Sequence, residues 1–118
     1  MLPSSPTALA ALFALQGSLA GAFEQLQALG SRQAAEARRS PALTPAFVVG
    51  QAGAFASTLL YNALLPLGDL SRADPTSRAF FLLSSTAAEL SLGGSYDLRL
   101  LAPGLVLLVA GAWLCSGA

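Results

Sequence analysis

Residues 45–66, PAFVVGQAGAFASTLLYNALLP, form a continuous stretch without an acidic or basic residue. A helix of about twenty residues, rising about 1.5 Å per residue, is long enough to cross a bilayer core roughly 30 Å thick. Small residues recur four apart along this stretch, in the rows Ala46, Gly50, Ala54 and Gly53, Ser57. Because such rows let helix backbones approach closely, the stretch predicts a membrane-spanning helix with a packing surface.

The composition of the whole chain agrees with a membrane location. Of the 118 residues, 54% are hydrophobic and 10% are charged, whereas soluble domains carry roughly a quarter charged residues. The six arginines are balanced by six acidic residues, and lysine is absent. The chain therefore has no basic field that would hold nucleic acid. We predict a single membrane domain over residues 1–118 that does not bind nucleic acid.

Residue types needed for several common chemistries are missing from the sequence. Histidine is absent, and Cys115 is the single cysteine. The sequence therefore contains no Cys/His metal cluster, no disulfide within the chain and no Ser/His or Cys/His nucleophile pair. Neither a glycine-rich phosphate-binding motif nor an H-E-x-x-H motif occurs. We predict no metal site, no cofactor and no catalytic residue, so the chain is not expected to be an enzyme.

Three other apolar segments complete the predicted architecture, and they are approximately residues 7–27, 78–92 and 98–115. The first is expected to be retained as a helix and not cleaved as a signal peptide, because no basic residue precedes it. The segment 78–92 is short, and it either crosses the membrane or re-enters the side from which it came. Together with 45–66, these segments predict an all-α integral membrane bundle of about four transmembrane helices.

Proline and arginine mark the expected helix starts and loops. The pairs Ser5-Pro6, Thr44-Pro45 and Asp74-Pro75 each place a capping residue before a proline, which predicts a helix start. The charged segment 31–41 is expected to be an extramembrane connection on the cytoplasmic side, since short arginine-rich loops are retained there. With four crossings, both termini then lie on the opposite side of the membrane.

The candidate functional residues are of two kinds. Contacts with other helices or with a partner protein are expected from small residues and one amide, namely Gly17, Gly21, Gly50, Gly53, Ala54, Ser57 and Asn62. Polar anchors within the apolar runs are expected from Gln51, Glu24 and Glu89. Gln51 is predicted to form a hydrogen bond with another helix. Glu24 and Glu89 are interpreted as carboxylates at the membrane interface or, if they lie close together, as a proton relay.

Short motifs near the ends of the first two spans are similar to those of a known family. A Ser-Arg-Gln motif at 31–33 follows the first span, and Tyr61-Asn62 closes a glycine-rich second span that contains Gln51 and Gly53. In this layout the chain resembles the keratinocyte-associated protein 2 family, small accessory subunits of the endoplasmic-reticulum oligosaccharyltransferase. The resemblance implies a non-catalytic subunit that contacts larger transmembrane proteins during N-glycosylation.

Two other functions fit the same residues. One is a supernumerary subunit of an energy-transducing complex in the mitochondrial inner membrane or the thylakoid. The other is a small proton-linked transporter that uses Glu24 and Glu89 as its relay. The expected partners are larger transmembrane subunits and the lipid bilayer, and the expected location is the endoplasmic-reticulum membrane.

Overall fold

Four α-helices dominate the computed structural model, which describes residues 6–68, 70–92 and 97–116. The helices are α1 (Pro6–Glu36), α2 (Pro45–Leu64), α3 (Leu70–Ser91) and α4 (Leu98–Ser116), with short 3-10 turns at Pro41–Leu43 and Leu65–Leu67. The described residues contain no β-strand. The predicted all-α fold is confirmed.

Three of the helical segments are long and apolar enough to cross a membrane. By length and composition they are Thr7–Glu36, Pro45–Leu67 and Leu98–Cys115. Helix α3 is not among them, because its first half has the polar sequence LSRADPTSR. The chain is therefore an all-helical membrane protein with three segments able to span a bilayer, and a crossing by α3 stays a prediction.

Helix α1 is the central helix of a flat layer. Helices α2 and α3 each pack along α1, and α4 packs mainly on α3. Helix α2 runs antiparallel to α1, since Gly30 lies against Phe47 and Gly53 lies against Phe23. The layer measures 48 × 38 × 18 Å, so its thickness is less than two helix diameters of about 10–12 Å. The spatial order of the helices is α2, α1, α3, α4.

The pairing of α1 with α3 is parallel and has a fixed register. The carbonyl oxygen of Ser77 faces Gly17, and the carbonyl oxygen of Phe81 faces Gly21. Both pairs differ by 60 in residue number (77 − 17 and 81 − 21), so each residue of α1 lies level with the residue 60 positions later in α3. This register places the polar first half of α3 beside the middle of the apolar run of α1.

Glycines on α1 make this close approach to α3 possible. A β-carbon at Gly17 would overlap the backbone of Ser77, and a β-carbon at Gly21 would overlap the carbonyl oxygen of Phe81. Both distances are below the separation of 3.0 Å that real β-carbons keep from their neighbours. The Gly17/Gly21 row is thus a packing surface between two helices of the same chain.

Two helix boundaries differ from the sequence interpretation, and one of them corrects a prediction. Helix α1 continues to Glu36 and includes half of the charged segment 31–41, because Gly30 packs against α2 and Ala34 is buried. The predicted helix start at Asp74-Pro75 was wrong, since α3 already begins at Leu70. Burial of Ala73 with side chains of α1 and α2 favours the earlier start.

The predicted start of α2 agrees with the structure. Thr44 is the residue before the helix, and Pro45 occupies its first turn. Pro45 has no backbone N–H to donate, which costs nothing at a position where that group has no partner within the helix. Helix α1 likewise begins at Pro6, and its predicted cap Ser5 lies outside the described residues.

Candidate functional site

One buried amide ties the three packed helices α1, α2 and α3 together. Gln16 Nε2 donates a hydrogen bond to the carbonyl oxygen of Ser57 in α2 at 3.2 Å. Gln16 Oε1 accepts a hydrogen bond from Ser77 Oγ in α3 at 2.5 Å. The three residues are 4%, 4% and 8% exposed in that order. Because Gln16 lies near the middle of the apolar run of α1, these bonds form where no bulk water competes for them.

Farther along, α1 and α3 are joined by two more hydrogen bonds. Ser84 Oγ donates to the carbonyl oxygen of Ser18 at 2.6 Å. Gln25 Nε2 donates to Ser85 Oγ at 2.8 Å. The bond between Gln25 and Ser85 has the same offset of 60 residues as the glycine contacts, whereas Ser84 reaches back along α1 to Ser18. Polar side chains thus join α1 and α3 at several levels.

Helices α2 and α3 flank a groove whose floor is α1, and we call it the polar groove. Its volume is about 340 Å³, and it is lined by Gln16, Ala20, Thr58, Tyr61, Asp74, Ser77, Arg78 and Phe81. Tyr61 Oη donates a hydrogen bond to Asp74 Oδ1 across this groove at 3.0 Å. The ring of Tyr61 packs edge-on against Phe13, with centroids 5.8 Å apart. The aromatic contact holds the phenol in place for its bond to Asp74.

An ion pair lies in the wall that α3 contributes to the polar groove. Arg78 Nε lies 2.8 Å from Asp74 Oδ2, one helical turn away. The side chains are 76% exposed for Arg78 and 38% exposed for Asp74. The carboxylate thus accepts from Tyr61 and from Arg78, while most of the guanidinium surface stays open to whatever occupies the groove.

The ion pair lies at the depth of the apolar midsection. By the offset of 60 residues, Arg78 is level with residue 18 of α1 and Asp74 is level with residue 14. These levels are about 16 Å and about 10 Å from Thr7, where the apolar run begins. When a bilayer core roughly 30 Å thick is placed with one boundary at Thr7, both charged groups lie within its hydrocarbon depth. Ionisable groups at such depth are costly and mark functional sites.

Both members of this ion pair were missed by the sequence interpretation. Asp74 was assigned to a helix cap and Arg78 to the beginning of the third span, which placed both at the interface. The signal that identifies them is their spacing of four residues, which aligns an acid and a base on one helix face. That spacing becomes informative once Asp74 is known to lie inside a helix.

The predicted packing glycines lie between helices of the chain. Gly17 and Gly21 face α3, and Gly50 and Gly53 face α1. At Gly50 a β-carbon would lie 2.5 Å from the backbone nitrogen of Gln27. These four glycines therefore make contacts between helices of the same chain.

The other predicted contact residues of α2 differ in burial. Ser57 is buried, and its Oγ donates to the carbonyl oxygen of Gly53 at 2.9 Å. Ala54 is half-buried, and its carbonyl oxygen accepts from Thr58 Oγ1 at 3.1 Å. Asn62 is exposed near the end of α2. Of these residues, Asn62 is the one that remains accessible to a partner.

The predicted polar anchors occupy three different environments. Gln27 Nε2 donates a hydrogen bond to Gln51 Oε1, which is the interhelical bond expected of Gln51. Glu24 is exposed on α1, and Glu89 is half-buried on α3. By the register, Glu89 is level with residue 29 of α1, about 7.5 Å along the axis from Glu24. The two carboxylates therefore lie toward the same end of the layer at different levels.

Fold and site together define the chain as a small all-helical membrane protein with a polar groove between α2 and α3. Within the described residues, no group of three His, Cys, Asp or Glu side chains could hold a metal ion. No protein family, no curated protein and no solved structure matches the chain.

Proposed function

We propose that the chain is a non-catalytic accessory subunit that attaches to larger transmembrane proteins. The observation that carries this proposal is the surface of α4, which packs mainly on α3. Of the side chains described in α4, Ala112 alone is buried. Large apolar side chains of α4 are more than 60% exposed, namely Leu98, Leu100, Val106, Leu107, Trp113 and Leu114. Such a helix offers most of its circumference to lipid and to partner helices.

The layered order of the helices supports attachment over transport. A carrier surrounds its substrate path with helices and places polar groups toward that path. In this chain α2, α1, α3 and α4 follow one another in a layer 18 Å thick. In the part of the chain that the structure describes, the helices therefore form a row and not a ring around a path, and the two broad faces of this row are open to neighbouring proteins.

The particular complex is proposed from the resemblance of the short motifs. The Ser-Arg-Gln motif at 31–33 and the exposed Asn62 support an accessory subunit of the oligosaccharyltransferase in the endoplasmic-reticulum membrane. The alternative is a supernumerary subunit of an energy-transducing complex in the mitochondrial inner membrane or the thylakoid. Both assignments share the same mode of action, which is helix-to-helix attachment.

Native electrophoresis tests the proposal directly. After membranes are dissolved in a mild detergent, we expect the 11.9 kDa chain to migrate with proteins many times its own mass. Mass spectrometry of the co-migrating proteins then distinguishes the oligosaccharyltransferase from respiratory, photosynthetic and ATP-synthase complexes. Isolation of the chain as a stable, self-contained homo-oligomer with transport activity would contradict the proposal.

A further inference from the structure

We infer that one transmembrane helix of the larger partner docks over the polar groove, and that a carboxylate or amide side chain of this helix enters the groove and accepts hydrogen bonds from Arg78. The inference rests on the proposed function and adds the place and the chemistry of attachment. It follows from the hydrogen-bonding capacity of Arg78, the depth of the groove and the nature of its rims.

Arg78 has more donors than its observed partner uses. A guanidinium group carries five N–H donors and no acceptor. The bond from Nε to Asp74 uses one of them, and the side chain is 76% exposed. At hydrocarbon depth neither bulk water nor a lipid tail supplies acceptors, so an exposed guanidinium there is unfavourable. An oxygen acceptor brought by the occupant of the groove removes this cost.

The depth of Arg78 favours a protein side chain over a lipid headgroup as that occupant. Arg78 is level with residue 18 of α1, about 16 Å inside the apolar run. Half the thickness of a bilayer core is about 15 Å, so Arg78 lies near the midplane while phosphate groups lie at the surface. An acceptor on a transmembrane helix reaches the midplane without thinning the bilayer.

The rims of the polar groove have the apolar character that a transmembrane helix requires. Phe55 lies three residues before Thr58 on α2 and is 64% exposed. Leu82 lies four residues after Arg78 on α3 and is 48% exposed. Residues three or four apart share a helix face, so each polar wall continues into an apolar rim. A polar wall with an apolar rim suits association with a transmembrane helix, because membrane helices associate through close apolar contacts and interhelical hydrogen bonds.

Photo-crosslinking from the full chain in its native membrane tests the inference. A photoreactive amino acid is placed at Thr58 in the groove and, in a second variant, at Leu107 on α4, which is 72% exposed. From Thr58 we expect a crosslink to one larger membrane protein, within a transmembrane segment that carries Asp, Glu, Asn or Gln. Arg78→Leu is expected to lower this crosslink yield by about threefold to fifteenfold, the range of one interhelical hydrogen bond.

Two further variants keep the result interpretable. Asp74→Asn/Arg78→Met removes the charge of the ion pair and the donors at position 78, and it is expected to lower the yield as well without leaving a lone charge that disturbs folding. Arg39→Leu removes an exposed arginine outside the groove and should leave the yield unchanged. Each variant is compared only if it elutes from size exclusion in detergent like the unaltered chain.

The possible outcomes separate this inference from the proposed function. Crosslinks from Thr58 to lipid alone, or to a second copy of this chain alone, overturn the inference. A protein crosslink from Leu107 without one from Thr58 also overturns it but leaves the accessory-subunit proposal standing. Absence of protein crosslinks from both positions contradicts both.

Discussion

Gly17→Ala is expected to lower the free energy of unfolding by about 2–3 kcal/mol, since overfilling a packed contact costs about 1–3 kcal/mol and occasionally more. The added β-carbon would overlap the carbonyl group of Ser77, which belongs to the backbone and cannot rotate away. The helices α1 and α3 must then separate, and the hydrogen bond between Gln16 and Ser77 lengthens. The measurement is reversible unfolding in mixed micelles, followed by the helical circular dichroism signal.

Gly111→Ala is the matched control for this substitution. A β-carbon at Gly111 has no atom within 4 Å, so alanine there should be neutral or stabilise α4 by up to about 1 kcal/mol through its helix propensity. Equal effects of the two substitutions would contradict the packing of α1 against α3.

Gln16→Met is expected to lower the free energy of unfolding by about 1–3 kcal/mol. The methionine side chain is similar in length and flexibility, but it cannot donate to the carbonyl oxygen of Ser57 or accept from Ser77 Oγ as the amide does. The Ser77 hydroxyl then loses its observed acceptor in a buried site, and a buried polar group left unpaired costs about 1–3 kcal/mol. Interhelical hydrogen bonds in membranes contribute about 0.6 kcal/mol on average and at most about 1.7 kcal/mol each, so the loss of both bonds of Gln16 falls within this range.

The control for Gln16→Met is the same change at Gln33. Gln33 also lies on α1, but it is exposed, so Gln33→Met should change the unfolding free energy by less than about 0.5 kcal/mol. The same unfolding assay serves for both variants. Should Gln16→Met prove as mild as Gln33→Met, the central amide would have no part in holding the three helices together.

The sequence was sufficient to predict the features that depend on local composition. The apolar stretch 45–66 and the Thr44-Pro45 pair predicted α2 with its start at Pro45, as observed. The run 98–115 predicted α4, which is observed at Leu98–Ser116. Length, hydropathy and capping are properties of contiguous residues, so they can be read without knowledge of the neighbours.

The sequence was not sufficient to predict how the helices are arranged. The repeated small residues indicated close packing, but internal contacts and partner contacts produce the same pattern. The central place of α1 and the offset of 60 residues to α3 arise from contacts between Gly17 and Ser77 and between Gly21 and Phe81. Contacts between residues so distant in the chain leave no local signal.

The polar groove shows how a contact between distant residues can override a local sequence pattern. Asp74 and Pro75 have the local signature of a helix start, yet tertiary packing of Ala73 with Phe13 and Leu64 extends the helix before them. The extension and the register together move Asp74 and Arg78 from the expected interface to the depth of the apolar midsection. The candidate site depends on the earlier start of α3 and on its register with α1, so it could not be predicted from the sequence.

The apolar helices of this chain are expected to be surrounded by lipid and by other membrane helices. Extraction of native membranes with alkaline carbonate, followed by sedimentation, tests this expectation. The chain should stay with the membrane pellet and enter the supernatant only when detergent is added. Recovery of the folded chain as a monodisperse species in a detergent-free supernatant would contradict this expectation.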